Sequence, residues 1–474
     1  MVSRIREHLS ARHAGLLGLC ILAWVYMALF RYDLYGMEEA AARALLINWS
    51  IIHQVASPIA LFGVPDMRGF LFVLLDLHWA GSLIAAKVFS MLILFATILM
   101  LYRWGERQHS AEATMIACGI LPLLPISIMQ ADAVGGGIYL LLALVAMAWL
   151  HEVIRESAFD VPGQMFLQAV LLGFAISIHP FALAALGVLL FLWWRDTEQS
   201  AKKRRNVMIA LVVGSIIPLI LRMGWPDAAS FDGAFLPFVS QIVLGSDLLP
   251  TSADARMGVG IILITLLLAT ALVFVMRKTS DTLAWFLVLG LLLGLWHINA
   301  VWLFMAAVTL LYLGAPALIA LNQHIGWQGL VGQRGLVLLV LFVTATTAMI
   351  TDRRYHAIEQ GHLLNEVDQS IALLSAEAAN ANAPFLAASE WPARTMMAAK
   401  RDVFPLPRVK EGEDAESFRQ RIQGVSHFTF NPQSEENRGL VTQFSALNAY
   451  YETLSLNSAS VVLKIRSEAA PLSH

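Results

Sequence analysis

Charge is scarce in this chain. Of its 474 residues only 14% are Asp, Glu, Lys or Arg, and the formal net charge is -2. A basic nucleic-acid-binding protein needs a strong positive excess, so no nucleic-acid partner is expected. A disordered chain needs low hydrophobicity and high net charge, and neither applies. Cysteine is scarcer still: Cys20 and Cys118 are the two present, and both fall inside apolar runs. That excludes a disulfide-stapled secreted scaffold and supports no thiol chemistry. Metal-ligand spacing is also lacking, since none of the 13 histidines forms a His-x-x-x-His pair. Apolar residues, in contrast, make up 58% of the chain, against roughly 45–50% in an average soluble domain. This is the composition of an integral membrane protein.

The few charges are unevenly placed. Residues 352–474 hold 12 of the 32 Lys and Arg and 15 of the 34 Asp and Glu, in barely a quarter of the length. The expected organisation is a transmembrane domain over 1–351 and a small soluble α/β domain over 352–474. Runs long enough to span, about 20 apolar residues or somewhat fewer, cover 14–30, 82–102, 112–128, 133–150, 206–222, 256–276, 281–297, 299–320 and 335–351. A thirty-residue apolar stretch at 165–194 carries His179-Pro180 at its middle. Proline removes a helix hydrogen bond there, so two short helices are expected, bringing the total to about eleven spans.

Lys and Arg set the orientation. With the amino terminus cytoplasmic, the inside segments hold fourteen, including Lys202-Lys203-Arg204-Arg205, and the outside loops hold only Arg31, Arg43, Arg68, Arg222 and Arg256. The expected location is a bacterial inner membrane, multi-pass, with the C-terminal domain on the periplasmic side. In that domain a helical stripe runs from Tyr355 to Leu374. Strands are expected at 385–388, 425–430 and 460–465, and helices at 415–423 and 440–451. It would serve as an acceptor-binding, lid or partner-docking module.

The first outside loop is half polar. From Met37 to Val55, Ala41, Leu45, Trp49 and Ile52 recur at helical spacing, with Glu38, Glu39, Arg43 and His53 between them. A helix lying in the membrane interface is expected. Glu38 and Glu39 sit in its first turn, where they either cap the helix or place a general base at the membrane surface.

Several short segments occur in a fixed order: Tyr35-Gly36-Met37-Glu38-Glu39-Ala40; Pro65 to Leu71; Ala80-Gly81-Ser82 through Ala86-Lys87 to Ser90; Met129-Gln130-Ala131-Asp132-Ala133; and Leu172 to Ala175 with His179-Pro180. Their order and spacing over residues 33–195 resemble the GT-C superfamily of polyprenyl-phosphate-sugar-dependent glycosyltransferases, which includes protein O-mannosyltransferases and lipid A aminoarabinose transferases. The chain departs from that pattern in three places. Glu38 stands where an aspartate is usual. Ile178-His179 replaces the lysine of a Lys-Gly-Pro turn. His297-Ile298-Asn299 stands where relatives carry an Arg-Tyr pair.

The resemblance implies an inverting transfer of sugar from a polyprenyl-phosphate lipid donor to an acceptor on the outer face. Such chemistry needs a base at the acceptor hydroxyl, and cations or donors at the departing phosphate. Glu38 is the expected base, with Glu39 beside it. Asp132 is expected as an orienting group or metal ligand, and equally suits an N-cap of the fourth span. Arg68, Lys87, Arg222 and Arg256 are the cations placed to meet phosphate, with snorkelling at span ends the alternative for Arg222 and Arg256. His179 and His297 are expected to bind phosphate or a divalent cation, the one cofactor the residues suggest. Two other readings stay open: a catalytically inactive assembly subunit, favoured by the missing lysine and arginine, and a transporter, for which no internal repeat is found.

Overall fold

The computed structural model describes residues 83–157, 162–196, 199–223, 281–293, 300–325, 364–381, 385–410, 412–457 and 460–466. Before these it describes Gly18, Leu22, Glu39, 42–46, Arg68, Gly69 and Leu71. Glu38, Arg256, His297 and the expected spans at 256–276 and 335–351 lie outside the described residues, as does 14–30 apart from Gly18 and Leu22. The chain divides into two compact units, Met1–Leu34 with Ala80–Arg354, and Tyr35–Trp79 with Tyr355–His474. The loop segment 35–79, assigned from sequence to the membrane domain, therefore clusters with the C-terminal residues. The reason is apolar burial: Ala42 and Leu46 pack with Ala387, Ala393, Met396 and Val403.

The first unit is helical. Its elements are α1 (Leu83–Gln108), α2 (Ala111–Ile120), α3 (Pro125–Asp132), α4 (Gly136–Glu156), α5 (Pro162–Ile178), α6 (Leu183–Arg195), α7 (Ala201–Met223), α8 (Thr282–Leu293) and α9 (Ala300–Ile325). Among the described residues α1 and α4 are long and apolar enough to cross a membrane, and the helix pair over 113–132, bent by 56°, is either a broken third span or a re-entrant loop. Shorter apolar helices occupy α5, α6, α8 and part of α9. Several hydroxyls in these helices bond to their own backbone, as Thr97 Oγ1 does to the Ile93 carbonyl at 2.7 Å and Thr309 Oγ1 to the Met305 carbonyl at 2.7 Å, which satisfies them away from water.

The apolar stretch at 165–194 breaks at His179, where the backbone turns extended (φ -154°, ψ 143°) before a 3-10 turn at Pro180–Ala182. Proline cannot donate the next helix bond, and the His179 ring caps the turn that follows: Nδ1 accepts from the Phe181 amide at 3.1 Å.

Side-chain contacts give the bundle two distinct ends. Helices α1 and α4 run parallel, since Ser90 meets Tyr139 near their starts and Gln108 meets Glu152 near their finishes. Helices α8 and α9 run antiparallel, with Trp302 Nε1 donating to the Leu291 carbonyl at 3.1 Å. One end therefore gathers Lys87, Asp132, Tyr139 and Trp302. The other gathers Trp104, His109, Asp281 and Tyr312.

The second unit carries a five-stranded sheet of order β2-β1-β3-β5-β4, made from β1 (Ala387–Ser389), β2 (Val403–Pro405), β3 (His427–Phe430), β4 (Tyr451–Leu456) and β5 (Val461–Ile465). Strands β2, β1 and β3 are parallel, and β5 is antiparallel to both β3 and β4. The remaining helices are α10 (Leu364–Asn380), α11 (Pro392–Ala399), α12 (Ala415–Arg421) and α13 (Arg438–Ala446). An aromatic cluster of Phe418, Phe428, Phe430, Phe444 and Tyr451 fills the core under β3 and α13. Helix α13 ends at Ala446, five residues short of the expected limit, because Tyr451 already pairs with Ile465 in β4.

Candidate active site

Two of the residues singled out in the sequence meet in the first unit. Lys87, one turn into α1, places Nζ 3.0 Å from Asp132 Oδ1 at the end of α3, and both side chains are buried, at 3% and 1% exposed. Forty-five residues separate them along the chain. A buried ion pair is a weak source of net stability, since each ion loses several kcal/mol of hydration, roughly as much as the attraction returns. An ionisable pair buried in an apolar bundle is a candidate functional position on that ground.

The backbone around Asp132 is unusual. Helix α3 stops there, Val134 adopts a left-handed conformation (φ 55°), and α4 begins from Gly135. A β-branched residue at positive φ is strained, and such strain collects at functional sites. The alternative role for Asp132, N-cap of the fourth span, does not occur: Gly135 occupies the cap, and the side chain bonding an α4 amide is that of Gln130, whose Oε1 accepts from Gly137 at 2.9 Å. A Cβ at 135 or 137 would come within 2.3 Å and 2.8 Å of that same Oε1, so a side chain at either position would displace the Gln130 amide. Gln130 Nε2 is buried and has no acceptor among the described residues. One turn beyond Lys87, Ser90 Oγ and Tyr139 OH share a 2.7 Å hydrogen bond that ties α1 to α4. Sequence reasoning passed over Gln130 and Tyr139; polar atoms inside apolar runs were the available signal.

His179 lies at the same end of the bundle, fully buried, with Nδ1 committed to the 3-10 turn. Its Nδ1 is therefore an acceptor, and the proton of the neutral ring sits on Nε2. Arg222 falls in the last turn of α7, which ends at Met223. Among the described residues no group of three or more His, Cys, Asp or Glu side chains is placed to hold a metal ion.

Two sequence-derived candidates belong to the second unit. Arg68 is buried there, 2% exposed. Glu39 has a defined structural task. Helix α11 starts at Pro392 with Trp391 before it and no capping side chain of its own. The Glu39 carboxylate caps it, accepting from the Ala393 amide at 2.9 Å and the Arg394 amide at 3.2 Å, while Arg43 pairs with it at 3.3 Å. Burial pushes the Glu39 pKa above the usual carboxylate value, against the lowering effect of Arg43 and the two amides. Glu39 thus ties segment 35–79 to α11 of the same unit.

A second buried polar cluster, which sequence reasoning missed, occupies the opposite end of the bundle. Asp281 caps α8, its Oδ1 accepting from the Leu283 and Ala284 amides at 3.0 and 3.2 Å and from Trp104 Nε1 at 3.0 Å. Its Oδ2 accepts from Tyr312 OH at 2.7 Å and lies 3.2 Å from His109 Nε2. An aspartate directly before an apolar run is a helix-start signal, and it was legible at 281.

The chain shares its fold with solved structures to which its sequence is only distantly similar. It is similar to ArnT from Cupriavidus metallidurans, solved bound to undecaprenyl phosphate, with 13% identity, a TM-score of 0.56, and 98% of this chain and 100% of that one covered. It is also similar to the oligosaccharyltransferase AglB from Archaeoglobus fulgidus, solved with an inhibitory peptide and a dolichol-phosphate, with 10% identity, a TM-score of 0.53, and 97% of this chain and 75% of that one covered. No protein-family model matches the sequence, and comparison with curated proteins finds no match.

Proposed function

We propose that this protein is a membrane glycosyltransferase that moves a sugar from a polyprenyl-phosphate donor to an acceptor hydroxyl at the outer face of the inner membrane. The observation that carries the reading is the buried Lys87–Asp132 pair at one end of a bundle with the GT-C fold. Similar structures hold undecaprenyl phosphate or dolichol-phosphate, which supports a donor of the same class here. In the proposed reaction a base removes the acceptor proton, the acceptor oxygen attacks the anomeric carbon with inversion, and the sugar–phosphate bond breaks to leave the polyprenyl phosphate. Glu38 is the proposed base.

Asp132 orients Lys87, and the Lys87 ammonium supplies positive charge for the departing phosphate. That assignment answers the departure at Ile178-His179, where the usual lysine is missing. Arg68, His179, Arg222, Arg256 and His297 are the further donor-binding candidates. The C-terminal unit is proposed to sit on the periplasmic side and bind the acceptor. The test is sugar transfer from a radiolabelled undecaprenyl-phosphate donor by the full-length protein in phospholipid nanodiscs supplied with total membrane extract. Glu38→Gln and Asp132→Asn should each abolish transfer. Transfer at the wild-type rate by either variant would overturn that residue's role, and absence of donor turnover by the wild type would favour the assembly-subunit reading.

A further inference from the structure

The groove between α6 and α7 lies at the Asp281 end of the bundle, away from Lys87 and Asp132. It has a volume of about 640 Å³ and is lined by Trp193, Trp194, Arg204 and Arg205 at its head and by Met208, Ile209, Val212 and Val213 along its length. Among the described residues no acidic side chain lines it. The nearby Asp196 carboxylate is engaged by Arg155 at 3.1 Å, and Lys203 is turned away to the Ser157 carbonyl at 2.6 Å.

Two groove-lining residues carry donors with no acceptor among the described residues. Arg204 is anchored by one guanidinium nitrogen to the Trp194 carbonyl at 3.2 Å, yet its buried Nε has no acceptor among the described residues. Trp193, fully buried with its ring 5.3 Å from that of His151, likewise keeps an Nε1–H without an acceptor among them. A buried N–H left unmade costs about 1–3 kcal/mol, so two such donors beside an exposed Arg205 describe a site built for an anion. Below this head, Ile209, Val212 and Val213 stay exposed along α7.

We infer that the groove binds one anionic phospholipid, its phosphate held by Arg204, Arg205 and the Trp193 indole and an acyl chain laid along Ile209, Val212 and Val213. Positive charge at the head and an apolar wall below it match a lipid with a charged headgroup. A free phosphate would leave the wall uncovered. Guanidinium groups suit the phosphate oxygens geometrically, and basic pockets between membrane helices are recognised headgroup sites. The site is separate from the proposed transfer chemistry, so its failure and that of the enzyme reading are distinguishable.

The experiment is native mass spectrometry of the full-length protein released from nanodiscs of mixed phosphatidylcholine and phosphatidylglycerol. Wild type should retain phosphatidylglycerol in preference to phosphatidylcholine. Arg204→Gln/Arg205→Gln should lower that preference about tenfold or more, as expected for loss of charge-assisted hydrogen bonds. Arg103→Gln/Arg107→Gln removes equal charge from a different groove at the same end and should leave retention unchanged. If the first double variant fails to fold, Arg205→Gln alone, an exposed position, should still reduce retention severalfold. Equal retention of the two lipids by wild type, equal loss in both double variants, or displacement of the lipid by millimolar inorganic phosphate would each overturn the inference.

Discussion

Replacing either member of the Lys87–Asp132 pair by an apolar residue of similar size isolates what the pair does. At 3.0 Å and an effective dielectric of about 20, the gross attraction is about 5–6 kcal/mol, and it is offset by several kcal/mol of lost hydration for each ion. Lys87→Met strands a carboxylate, and Asp132→Leu strands an ammonium, in a site only 1–3% exposed. Each single change should therefore destabilise the bundle by about 3–5 kcal/mol. The double variant removes both hydration penalties along with the attraction and should return to within about 1 kcal/mol of wild type, or above it. The assay is a double-mutant cycle on the full-length protein in detergent, following unfolding by tryptophan fluorescence, with sugar transfer measured on the same samples. The double variant should be stable and inactive. Single variants within about 0.5 kcal/mol of wild type, the range of surface substitutions, would refute the buried pair. A double variant that transfers sugar at the wild-type rate would refute its chemical role.

Three further outcomes are expected. Asp281→Ala removes the acceptor shared by Trp104, Tyr312 and two α8 amides, and should cost about 3 kcal/mol or more; loss of under about 1 kcal/mol in the same unfolding assay would show that these donors find other acceptors. Glu39→Ala uncaps α11 at a cost of about 1 kcal/mol, read as faster amide hydrogen exchange at Ala393 and Arg394; unchanged exchange there would contradict the capping role. Burial lowers the pKa of His427 below its usual value of 6.5. The unfolded chain then binds the extra proton first as pH falls through 6.5, so stability is lost on acidification below that value. His427→Gln should remove His427's contribution to that pH dependence, and an unaltered pH profile of unfolding would rule its titration out as a cause.

The break in the long apolar stretch was legible because it is local: a proline at 180 removes one backbone donor wherever the helix sits. Lys87 and Asp132 could be singled out one at a time, since an ionisable group in an apolar run is costly on its own. Edge elements of the C-terminal sheet were not legible. Strand β2 is three residues long and ends in proline, and β4 is mostly exposed, so neither shows the alternation that marks a half-buried strand. Helix α11 has no cap in its own sequence, because its cap is Glu39, more than 350 positions earlier.

By itself the sequence determined the solvent and the scale of the structure. Scarce charge and abundant apolar residues require a membrane, and the ordered motifs over 33–195 carry the resemblance from which the donor class is proposed. Only the tertiary structure decided the pairings: Lys87 with Asp132, Glu39 with α11, and Asp281 with Trp104 and Tyr312. Burial and helix periodicity act over a few neighbouring residues and can be read along a chain. An ion pair or a cap acts over about 3 Å of space, and the separation of its partners in sequence carries no trace of that distance.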